Sequence, residues 1–103
     1  MNEIARAFTL LSAIRQNIPL KPEIAKSWVV EFHSVLNRVE ETTGLSMGEF
    51  RISRMQLHRE TLGAHPKTGQ VYVVGTIVVD RTHFLLKVDA ALAYFTNQEP
   101  DRT

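Results

Sequence analysis

The stretch KPEIAKSWVVEFHSVLNRVEETTG, residues 21–44, decides the fold. Proline suits the first position of a helix, because the N–H it lacks would find no intrahelical acceptor and its φ is already near the helical value. Glycine readily takes the left-handed conformation that closes a helix. Pro22 and Gly44 therefore predict one long helix, with Leu20 outside it as a hydrophobic staple on Ile24 or Ala25. Between these bounds Ala25, Trp28, Val29, Phe32, Val35, Leu36 and Val39 recur at helical spacing, which makes a core-facing stripe. Lys26, Asn37, Arg38, Glu40 and Glu41 fall mostly off the stripe and read as solvated. At about 1.5 Å per residue such a helix runs roughly 35 Å.

Upstream, Ile4, Phe8, Leu11 and Ile14 keep helical spacing over residues 2–16, with Asn2 placed to cap. The connection from Asn17 to Leu20 is short, which favours antiparallel packing of this helix on the stripe. Downstream, Ser46 and Glu49 have capping-box spacing, so one helical turn is expected, with Leu45, Met47 and Phe50 as core plugs. Residues 55–62 alternate loosely, Ala64-His65-Pro66-Lys67-Thr68-Gly69 is rich in turn formers, and residues 71–79 are dense in β-branched side chains. These features predict a hairpin over about 55–79, with Gly75 marking a bulge. Asp80 is placed to cap a last helix from near Arg81, with Phe84, Leu85, Val88, Leu92 and Phe95 as its core stripe. The fold class is α+β, helix-dominated: two packed N-terminal helices, a short helical turn, a β-hairpin and a C-terminal helix. Residues 1–96 form a single domain in this reading, and 97–103 a polar tail.

Composition narrows the classes. The chain has 103 residues, 44% of them hydrophobic, which suits one globular domain and argues against disorder. With no cysteine it has no disulfide framework, thiolate metal site or cysteine nucleophile. A net charge of +1 gives no global field toward nucleic acid or anionic lipid. No secretory signal and no membrane span are visible, and a cytoplasmic protein is expected.

The words Val39-Glu40-Glu41-Thr42-Thr43-Gly44-Leu45, Phe50-Arg51-Ile52 and Phe84-Leu85-Leu86-Lys87-Val88-Asp89 resemble a small bacterial domain family without assigned function. The resemblance covers about half of the chain. It implies a bacterial or phage-associated soluble protein and brings no activity, cofactor or catalytic residue with it.

Three sets of residues carry candidate chemistry. Arg51, Arg54, Arg59 and Lys67 cluster in sequence against the single acid Glu60, and on a projecting hairpin they would suit phosphates or an acidic protein surface. A charged solvent face that discourages edge association accounts for the same residues. His58, Glu60 and His65 suggest a His-dependent hydrolase, since positions 58 and 60 share a strand face, but strand alternation produces that by default. Asp80 and His83 lack the further ligands a metal requires, and neither a metal nor another cofactor is expected. The third set is Tyr72, Val74, Thr76 and Val78, one face of a strand that is largely apolar on both faces. A half-buried antiparallel strand alternates more cleanly, and a lone two-stranded sheet is marginal. The terminal helix covering that face is the competing explanation.

The sequence thus reads as a non-catalytic protein-protein interaction module, a homo-oligomer or a small subunit of an assembly. The alternatives are a nucleic-acid-associated regulator using residues 51–67 and a small hydrolase.

Overall fold

In the computed structural model the described residues are 2–64 and 66–98, with the side chains of 61–64 and 71–74 outside the description. His65 and residues 99–103 of the expected tail therefore lie outside it too. The elements run α1 (Glu3–Asn17), β1 (Glu23–Ala25), α2 (Lys26–Thr43), β2 (Leu57–Ala64), β3 (Val71–Asp80) and α3 (Arg81–Gln98). Two 3-10 turns, Gly48–Phe50 and Arg54–Gln56, lie between α2 and β2. The chain is a helix-dominated α+β fold with a 3-stranded antiparallel sheet in the order β1-β3-β2.

The helix expected from Pro22 begins instead at Lys26. Residues 23–25 are a strand, paired Glu23 to Asp80, Ile24 to Val79 and Ala25 to Val78. A φ near −65° serves the entry to an edge strand as well as a helix start, so Pro22 alone does not distinguish them. The backbone partner does. β3 offers an adjacent edge with which the backbone of residues 23–25 pairs. The Arg81 N–H donates to the Pro22 carbonyl at 2.9 Å and extends the ladder one step. Leu20 is 90% exposed, so it staples nothing. The other end of α2 follows expectation. Gly44 has φ 76° and its N–H donates to the Glu40 carbonyl.

The three helices enclose the core. Ala7, Leu11 and Ile14 of α1 meet Val29, Phe32, Val35, Leu36 and Val39 of α2 and Phe84, Val88, Ala91 and Phe95 of α3, all buried. Phe32 and Phe84 pack edge to face, with ring centroids 5.6 Å apart. Met47 and Phe50 plug the core from the 45–50 segment, as expected, but the turn there starts at Gly48 and no Ser46 capping box forms. Asn2 caps α1 by accepting the Ala5 N–H at 2.7 Å. Asp80 accepts the Thr82 N–H at 2.8 Å where β3 runs straight into α3. The ion pairs Arg15–Asp89 and Arg38–Glu3 join helices across exposed surface. Each is worth about 0–1 kcal/mol, against about 1.5–3 kcal/mol for each large buried side chain, so apolar burial sets the helix arrangement.

Phe32 is fully buried at the meeting point of α2 and α3. Phe32→Ala is expected to cost about 3–5 kcal/mol in urea unfolding. A loss below about 1 kcal/mol would place the stripe in solvent.

Candidate functional site

The hairpin runs beyond the short strand that pairs with its base. β1 covers the edge of β3 only at Val78, Val79 and Asp80, and the chain then turns into α2. On the other edge β2 pairs with β3 from Leu57–Val79 out to Ala64–Val71. Val78 and Val79 are buried, whereas Arg59, Gly75 and Thr76 are exposed. The outer part of the hairpin is therefore an arm of two strands among the described residues.

The arm is not a regular ladder. Arg59 faces Ile77 and Thr61 faces Val73, so β3 holds two extra residues there, centred on Gly75. Gly75 has φ 99°, a conformation that glycine reaches without a Cβ penalty, and it is the expected bulge. A second irregularity places an extra residue in β2 at Leu62. The expected row Tyr72, Val74, Thr76, Val78 assumed unbroken alternation. The bulge interrupts it, Thr76 is exposed, and Val78, at 3% exposure, is covered by the chain itself. The side chains of Tyr72 and Val74 lie outside the description.

The four cations do not come together as one surface. Arg51 is turned inward: its Nη2 donates to Glu40 at 2.5 Å and to Asn37 at 2.6 Å. Glu40 also accepts the Met47 N–H, and these two hydrogen bonds hold its carboxyl below the usual carboxylate range. Arg54 lies exposed on the second 3-10 turn, Arg59 exposed on β2, and Lys67 in the turn at the tip of the arm.

Of the histidine candidates, His58 has a partner other than the one expected. His58 reaches across β3 and pairs with Glu23 of β1, not with Glu60. That hydrogen bond to Glu23 raises its pKa above the ordinary 6.5, helped by the Gln56 backbone and the charge of Asp80. Glu60 instead lines a groove of about 210 Å³ with Pro19, Lys21, Ala25, Trp28, Thr76 and Val78. His65 is outside the described residues. Among the described residues no group of three His, Asp or Glu is placed to hold a metal, and no helix is long and apolar enough to cross a membrane.

His33 is structural. Its Nε2 accepts the Ile52 N–H at 2.9 Å, which ties α2 to the segment leading into the arm. Burial, with Arg51 adding repulsion, lowers its pKa below 6.5. No motif announces this contact, because it joins residues 19 apart through an irregular segment.

No protein-family model, curated protein or solved structure matches the chain.

The two histidines give opposite pH dependences. His33 binds a proton less readily when folded, so its contribution to stability is present above pH 6.5 and is lost as pH falls below that value. His58 binds one more readily when folded, so its contribution is full below pH 6.5 and is lost as pH rises through the folded value. Proton titration by NMR should find the His33 midpoint below and the His58 midpoint above 6.5, with Glu23→Gln returning His58 toward 6.5. A His58 midpoint unmoved by Glu23→Gln would contradict the pairing.

Proposed function

We propose that the chain is a non-catalytic interaction module, a homo-oligomer or a small subunit of an assembly, and that the hairpin arm is its contact surface. One observation carries this reading. From Val71 to Ile77, β3 has a strand on one edge and, among the described residues, none on the other. An unpaired strand edge presents a row of N–H and C=O groups that another strand can satisfy. The arm's β3 run, Val71-Tyr72-Val73-Val74-Gly75-Thr76-Ile77, also carries no charge. Removing apolar surface from water would favour association by about 25 cal/mol per Å² before ordering costs are subtracted.

The alternatives have less support. A phosphate-binding face built on Arg51, Arg54, Arg59 and Lys67 loses Arg51 to Glu40 and has its other cations spread over the second 3-10 turn, β2 and the turn between β2 and β3. A hydrolase built on His58, Glu60 and His65 has His58 paired with Glu23 rather than Glu60, and its His65 lies outside the described residues.

Val74→Lys places a charge in the uncharged run. Sedimentation should show the wild type above monomer mass and the variant shifted to the monomer, with the circular dichroism of the two alike. A variant that unfolds would mean that position 74 is covered within the chain, because burying an unpaired charge is costly.

A further inference from the structure

We infer that the partner on the arm is a second copy of this chain. The two β3 strands would run antiparallel, edge to edge, making one sheet in the order β2-β3-β3-β2. This rests on the interaction-module reading and adds the partner and the mode of pairing.

The open edge fixes the kind of occupant. β1 stops at the register of Val78, and α2 departs from Lys26, so a slot in line with β1 continues beside Ile77 toward Val71. Only an extended backbone satisfies such an edge. An isolated two-stranded ribbon is marginal in water, and a second arm would bring the ribbon to four strands.

Charge points to a second copy. In a two-fold antiparallel pair, residues near the axis face themselves or near neighbours, so a charged strand sets like charges opposite one another. Residues 71–79, VYVVGTIVV, contain no charge and no proline, and self-pairing there opposes no like charges. Natural edges are commonly guarded by lysine, proline, inward-pointing charge or a bulge; residues 71–79 hold no lysine, proline or charge, and the bulge at Gly75 is the guard this edge carries. The outer edge of β2 differs. His58, Arg59 and Glu60 are consecutive on that strand, so self-pairing there would bring charges together.

The bulge sets the extent. Gly75 and its extra residues break the regular ladder, which leaves Val71–Val73 as the paired run of β3 nearest the tip, with the second irregularity across from it in β2. A two-fold axis in that run puts the helical bodies at opposite ends of the paired arms, where they do not collide.

The absence of cysteine makes the test direct, because a single introduced thiol reports a single position. Val73→Cys lies in the proposed contact and Arg59→Cys on the opposite strand. Cysteines on facing strands near a two-fold axis meet disulfide geometry. Under mild oxidation Val73→Cys should form a covalent dimer about tenfold faster than Arg59→Cys, with the difference abolished in denaturant. Tyr72→Cys serves as the second probe if Val73→Cys does not fold. Faster cross-linking at Arg59 would overturn the β3 pairing while leaving the arm as the contact surface. A wild type above monomer mass with neither site cross-linking would overturn the arm itself. A monomeric wild type without cross-links would overturn the second copy as partner, leaving the β3 edge to a different protein.

Discussion

The pairing of Ile24 with Val79 fixes the base of the hairpin on the helical body. Ile24 is 2% exposed and Val79 fully buried, so the short strand β1 is fixed by apolar burial as well as by its ladder. Arg81 reinforces the joint from the other side. Its backbone N–H meets the Pro22 carbonyl, and its Nε donates to the Pro19 carbonyl at 2.8 Å. The connection between α1 and α2 is therefore stapled to the start of α3, just where β3 ends. The exposed Glu23–His58 pair adds little by comparison, since side chains 38% and 49% accessible are well screened. Ile24 rather than that ion pair keeps β1 on the sheet.

This joint explains the division of the sheet. At its base β3 is a central strand with partners on both edges. Beyond Val78 it becomes an edge strand, because residue 26 onward is committed to helix by the stripe that buries Val29, Phe32 and Val35. The same residues that build the core thus leave the outer β3 edge without a partner strand among the described residues. The segment entering the arm is held separately. Ile52 is buried, its N–H is taken by His33, and Arg51 is anchored on Glu40. The arm is consequently fixed at its base while its outer half is a ribbon of two strands among the described residues.

Much of this was legible in the sequence because it depends on local chemistry. Gly44, Asn2 and Asp80 act where their own side chains or backbone freedom dictate, and spacing marks most of the three apolar stripes, although Ala25 lies in β1 and the buried Ala7 and Ala91 complete the faces of α1 and α3. Gly75 marked a bulge because few residues besides glycine take a φ of 99° without strain. The misreadings lie where a distant partner decides. Pro22 has one φ that suits two structures, and only the presence of Asp80, Val79 and Val78 alongside selects strand over helix. The same gap hid the candidate site. Arg51 reads as a surface cation until Glu40 is seen beside it, and His58 pairs with an acid 35 residues away rather than with Glu60.

The central claim is that the edge of β3 outside β1 is where this protein meets its partner, and amide hydrogen exchange as a function of protein concentration tests it most directly. Amides at Ile24 and Val79 belong to the intrachain joint and should be equally protected at every concentration. Protection within Val71–Ile77 should rise with concentration as that edge becomes occupied, while the outer edge of β2 stays unchanged. Protection along Val71–Ile77 that is independent of concentration, with new protection appearing in Leu57–Ala64 or on the helices instead, would contradict the account.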